Sequence, residues 1–85
     1  MVYKIKIDKK AQKEFDKLPV HVQSKLEEKI DELAQNPRPH GAIKLTNEDD
    51  LYRIRVGDYR AIYQIQDKIL LILVVKIGHR KEIYR

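Results

Sequence analysis

The chain has 85 residues, with 18 Lys and Arg against 13 Asp and Glu, 42% apolar content, and neither Cys nor Trp. A domain of this length buries only about 60–65% of its unfolded surface, which excludes a deep substrate cavity and leaves function to the outer face. The lack of cysteine excludes a disulfide framework, a thiolate nucleophile and a thiolate metal site, and it suits a reducing cytoplasm. The longest apolar run, Ile69 to Val75, is too short to cross a bilayer, and no signal peptide is expected.

Val2 to Ile7 alternates Tyr3, Ile5 and Ile7 with Lys4 and Lys6, the period of a half-buried strand. Asp8 follows as a helix N-cap. Ala11, Phe15 and Leu18 then keep helical spacing up to Pro19, which breaks the helix or opens a new first turn. A longer helix is predicted from about Val20 to Gln35, with Val22, Leu26, Ile30 and Leu33 on one stripe. The segment Asn36-Pro37-Arg38-Pro39-His40-Gly41 reads as a loop, and a brief strand is expected over Ala42 to Thr46. Leu51 to Val56, Gly57-Asp58 and Tyr59 to Gln66 form a hairpin, with Gly first in a two-residue turn of type II′. The aliphatic run from about Ile69 to Ile77 is a central strand, followed by a polar tail. The order β-α-α-β-β-β-β predicts one α+β domain over 1–85, two helices packed on a mainly antiparallel twisted sheet.

Charge is unevenly placed along this order. Residues 1–50 are neutral overall, so the whole excess of +5 falls in residues 51–85, together with five of the six Arg. The planar guanidinium suits bidentate contact with phosphate. With Gly57-Asp58 as the turn, Arg55 stands opposite Arg60, and Arg53, Arg55 and Arg60 share one face. Tyr52, Ile54, Val56, Tyr59, Ala61 and Tyr63 share the other. Like charges directly opposite each other cost about 0.2–1 kcal/mol, and an anionic partner is the natural counterpart. The tail leaves the central strand so that His79, Arg80 and Tyr84 are expected at the rim of the same face, with Lys81 a further cation for RNA. An imidazole or a phenol among cations can serve acid-base chemistry on a phosphodiester. RNA supplies its own 2′-hydroxyl nucleophile, so base, acid and charge stabilisation suffice and no metal or other cofactor is called for. His21 and His40 lack a partner group and read as surface residues. The acidic run Glu48 to Asp50 is a poor octahedral site and reads as a solvated turn.

The run Leu51-Tyr52-Arg53-Ile54-Arg55-Val56-Gly57-Asp58-Tyr59-Arg60-Ala61-Ile62-Tyr63, followed by Gly78-His79-Arg80-Lys81-Glu82-Ile83-Tyr84, resembles the RelE branch of the RelE/ParE toxin superfamily. The resemblance extends over essentially the whole chain, including the Leu18-Pro19 junction and the Asn36-Pro37 loop. It implies a RelE-like fold and the toxin of a type II toxin-antitoxin pair: a ribosome-dependent, metal-independent endoribonuclease that cleaves mRNA in the A site by 2′-hydroxyl attack. Carried over by position, Arg53, Arg55 and Arg60 hold the scissile phosphate, Arg80 is the acid or leaving-group stabiliser, and Tyr84 is the base. The strand cations are Arg where the best-known member has Lys. His79 also stands where that member has Lys, and the resemblance therefore implies that it can assume one of the proton-transfer roles. The resemblance further implies a cognate antitoxin with an amphipathic, acidic helix, and the ribosome and mRNA as partners. The ParE branch, which binds DNA gyrase rather than cutting RNA, is the alternative, and a catalytically silent RNA-binding module is a third reading.

Overall fold

The computed structural model describes residues 2–45 and 50–79. Strand β1 (Lys4–Ile7) leads to helices α1 (Lys9–Asp16) and α2 (Val20–Glu32). Four further strands follow: β2 (Ile43–Lys44), β3 (Leu51–Val56), β4 (Tyr59–Gln66) and β5 (Leu71–His79), with a 3-10 turn at Asp67–Ile69 before the last. They form one five-stranded sheet in the order β1-β5-β4-β3-β2. Three pairings are antiparallel, and β1 runs parallel to β5. The expected α+β architecture is therefore present, with a mixed sheet in which the two helices and the β2–β4 segment intervene between the parallel partners.

Local chemistry explains the helix boundaries. The Asp8 carboxylate accepts from the Lys10 backbone N–H at 3.2 Å and caps α1. At the other end of α1, the Gln23 side-chain amide donates to the carbonyls of Phe15, Asp16 and Leu18 at 3.1–3.2 Å, supplying donors that the helix itself cannot. Pro19 starts α2 as its N-cap residue, and its carbonyl accepts from Val22 and Gln23, both at 3.0 Å. The second helix stops three residues earlier than its hydrophobic spacing predicts. The next carbonyls make tighter bonds of the kind Asp31 O with Ala34 N, and Pro37 then prevents a further helical turn.

Val22, Leu26 and Ile30 project from α2 at intervals of four, and with Leu33 they are buried against Ile54, Ala61, Tyr63, Ile65, Ile72, Val74 and Ile77 of the sheet. Both helices thus cover the same side of the sheet, the side assigned to the tyrosines and aliphatics. Among the described residues no helix is long and apolar enough to cross a membrane.

One irregularity matters for the opposite side. Ile62 stands opposite Lys76, whereas Tyr63 stands opposite Val74, so β5 carries one extra residue, Val75. A bulge of this kind reverses which face the following residues occupy. It sends Lys76 to the face away from the helices and Ile77 into the core beside Ala61. The uninterrupted aliphatic sequence hides this shift, because Val74 and Val75 are interchangeable by pattern. The edge strand β2 is only two residues long against an expected five, and the final strand begins and ends two residues later than the sequence suggests.

Candidate functional site

The hairpin register is set at Gly57, whose φ of +58° lies in the left-handed region while Asp58 keeps a negative φ, as a II′ turn requires. Val56 is consequently opposite Tyr59, Arg55 opposite Arg60, and Arg53 opposite Ile62. The three arginines share the face turned away from the helices. For Arg55 and Arg60 the approach is closer than the register alone implies. The Leu51 carbonyl accepts from Leu45 on the outer side of β3 at 2.9 Å. Arg55, four residues on, points its carbonyl the same way, where Lys29 Nζ donates to it at 2.9 Å. Arg55 and Arg60 are therefore a non-hydrogen-bonded pair, the position in an antiparallel ladder where opposite Cα atoms approach to about 4.5 Å.

Exposure grades across this cluster. Arg55 is exposed, Arg53 is half-buried, and Arg60 is only 8% exposed. Gly78 lies opposite Arg60 on its other flank. With no Cβ at that position, the long Arg60 side chain can lie over the neighbouring strand. Among the described residues no carboxylate pairs with Arg55. A cleft of about 660 Å³ opens beside the cluster, lined by Arg53, Arg55 and Arg60, by Ile54, by Lys29 and Glu32 of α2, and by Pro39, His40, Gly41 and Ile43.

The bulge at Val75 places His79 differently from the expectation. His79 pairs with Tyr59, not Arg60, and its ring meets the Tyr59 ring edge-on with centroids 5.4 Å apart. It belongs to the helix side at the end of the strand and does not line the cleft. Had β5 continued without the extra residue, His79 would have fallen on the arginine face. Arg80, Lys81 and Tyr84 lie outside the described residues. The three cations of the hairpin are brought together as expected, and His79 is not brought to them.

His40 is a surface residue, as its sequence context suggests, and it lines this cleft together with its loop. The loop is held from beneath by a polar clasp. Arg38 donates through Nη2 to Asp67 Oδ2 at 2.8 Å and through Nε to the Tyr52 hydroxyl at 3.1 Å, and its guanidinium lies 5.5 Å from the centre of the Tyr52 ring. Tyr3 donates its hydroxyl to the other Asp67 oxygen, and the buried Tyr63 donates to the Pro37 carbonyl at 2.8 Å. The hydrogen bonds from Arg38 and then Tyr3 hold the Asp67 carboxyl below the usual carboxylate range. The same bond to Asp67 raises the Tyr3 hydroxyl, and burial raises that of Tyr63. No single pair in this clasp is predictable from spacing, since Tyr3, Arg38, Tyr52 and Asp67 come from four separate segments. The prolines flanking Arg38 were the only local hint that the loop is rigid.

Residues 5–84 match the family described as ParE toxin of type II toxin-antitoxin system, parDE. The mRNA interferase toxin RelE of Escherichia coli K12 is 34% identical over 88 residues, spanning 99% of this chain and 92% of that protein. Among solved structures, a free mutant form of E. coli toxin RelE superposes with a TM-score of 0.85 at 32% identity, covering 99% of this chain and 92% of that one. The RelE chain of the archaeal RelE-RelB complex from Pyrococcus horikoshii OT3 gives 0.83 at 36% identity, covering 94% and 97%. The family match carries the ParE description while these full-length relatives carry the RelE one, and with the fold and hairpin in agreement, the chain belongs to the RelE branch of the RelE/ParE toxin superfamily.

Proposed function

We propose that this chain is the toxin of a type II toxin-antitoxin pair and acts as an mRNA interferase, an endoribonuclease of the cytoplasm that cuts mRNA in the ribosomal A site. The observation that carries the reading is the convergence of Arg53, Arg55 and Arg60 on one face beside an open cleft. Guanidinium groups gathered on one face suit a phosphodiester and the extra negative charge that develops on it as the 2′-hydroxyl attacks phosphorus. The attacking hydroxyl loses its proton to a base, and the departing 5′-oxygen gains one from an acid or is stabilised by a cation. Tyr84 takes the first role and Arg80 the second by their match to the family motif, with Lys81 adding charge near the RNA. His79, packed edge-on against Tyr59 on the helix side of β5, does not line the cleft where a proton would move. The chemistry requires no metal, because the nucleophile and the charge stabilisation come from the RNA and from the arginines.

The partner is a cognate antitoxin, supported by the solved RelE-RelB complex of the Pyrococcus relative. An acidic amphipathic helix would complement the cationic face and screen it from RNA. The ribosome aligns the message, which removes much of the entropic cost of positioning the scissile bond on so shallow a surface.

Primer extension on a translated message, with and without ribosomes and beside a gyrase supercoiling assay, tests this reading. Breaks within codons that need ribosomes and disappear with Arg60→Ala are expected. Inhibited supercoiling with intact message would replace the reading with a ParE-like one.

A further inference from the structure

The lining of the cleft mixes cationic and apolar side chains. On the arginine face, Ile43 of β2 pairs directly with Arg53 and therefore shares its side of the sheet, yet it is 51% exposed. His40 and Pro39 stand on the adjoining loop and line the same cleft. A flat imidazole, a proline ring and a branched aliphatic chain form a wall suited to the face of a planar ring. Lys29, Arg53, Arg55 and Arg60 supply cations to the same lining, beside the carboxylate of Glu32. A nucleotide complements both, with an anionic phosphate on one side of its sugar and an apolar planar base on the other. The volume of about 660 Å³ is within the range of clefts that hold small ligands.

The loop is also preorganised. Its backbone is closed by the Ala42 N–H donating to the Pro39 carbonyl at 2.9 Å, two prolines restrict its φ angles, and the Arg38–Asp67 pair and the Tyr63 hydroxyl tie it to the sheet. Ile43 thus stands half-exposed at a cleft carrying several cations, beside a loop held in one conformation.

We propose that Pro39, His40 and Ile43 form a nucleobase subsite for single-stranded RNA, beside the arginines that take its phosphate. The base stacks on His40 and slides against Ile43, so the loop contributes base-dependent affinity while the hairpin contributes charge. The proposal rests on the reading of the chain as an mRNA interferase, and it identifies the residues through which that enzyme senses the base beside its target phosphate.

Fluorescence anisotropy with a short single-stranded RNA and with the same oligomer made abasic at its central nucleotides tests it without requiring cleavage. The wild-type chain is expected to bind the intact oligomer about tenfold more tightly. The double variant His40→Ala with Ile43→Ser should bind both oligomers alike, with the slope of log affinity against log salt unchanged because the phosphate contacts remain. His40→Phe, which keeps a flat face, should preserve the preference. Both positions are solvent-exposed, so circular dichroism should show an intact fold in each variant. Equal wild-type binding to the two oligomers, or a preference that survives in the double variant, would overturn the subsite. Failure of the interferase reading is visible separately, as translated message that stays whole while the preference for intact bases persists.

Discussion

Arg55 and Arg60 face each other at a non-hydrogen-bonded position of the β3–β4 ladder, where like charges are held closest. Like charges directly opposite each other oppose stability. Replacing the exposed Arg55 with Ala should raise stability by up to about 0.5 kcal/mol, measured by urea denaturation. The same change should weaken single-stranded RNA binding and lower the salt slope by about 0.7, the value for one lost phosphate contact. A destabilised variant with unchanged RNA affinity would mean that the pair serves folding rather than an anion.

The turn that creates this register depends on Gly57. A Cβ at that position would meet nothing within 4 Å, so the obstacle is its φ of +58° rather than packing. Gly57→Ala should cost about 1 kcal/mol, whereas Gly57→Asn, which tolerates the left-handed region, should cost less. Thermal denaturation of the two variants side by side gives the comparison, and equal losses would point to a contact instead of the backbone angle.

The clasp beneath the cleft loop has a defined pH window. Asp67 titrates below its ordinary value in the folded chain, so its contribution is present above about pH 4 and is lost as pH falls through the lowered value. The Tyr3 hydroxyl is raised, so its contribution is present below about pH 10 and is lost as pH climbs through the raised value. Carbon-detected NMR of the Asp67 carboxyl should show its titration moving up in Arg38→Ala, without reaching the ordinary value because Tyr3 still donates. An unchanged titration would show that Arg38 does not engage Asp67 in solution.

Leu26 is fully buried where α2 crosses the sheet, and Leu26→Ala should cost about 2–5 kcal/mol in chemical denaturation. A domain of this size has little stability to spare, so the variant should populate unfolded chain at 37 °C. A loss below 1 kcal/mol would mean that the helix is not fixed on the sheet at this point.

Most of the fold was legible because its signals are local and periodic. The stripe of Val22, Leu26 and Ile30 marked α2, Asp8 and Pro19 marked helix starts, and Gly57-Asp58 fixed a hairpin register that placed three arginines together. What escaped was set by contacts between distant segments. The extra residue at Val75 is invisible within an aliphatic run, and it alone decides that Gly78 neighbours Arg60 while His79 turns toward Tyr59. His40 looked isolated because its neighbours in the cleft come from β3 and β4, and because the clasp that holds its loop joins Tyr3, Tyr52 and Asp67 to Arg38. The parallel pairing of β1 with β5 likewise depends on a crossover, which no alternation pattern reveals.

The most direct test of the arginine face as the site of phosphodiester chemistry is the single-turnover rate of cutting on ribosome-bound message by wild type, Arg60→Lys and Arg60→Ala. Loss of about 10²-fold or more is expected in Arg60→Ala, with partial activity in Arg60→Lys, which keeps the charge but not the fork, and with folded structure retained in both. Cutting by Arg60→Ala at the wild-type rate would contradict the account.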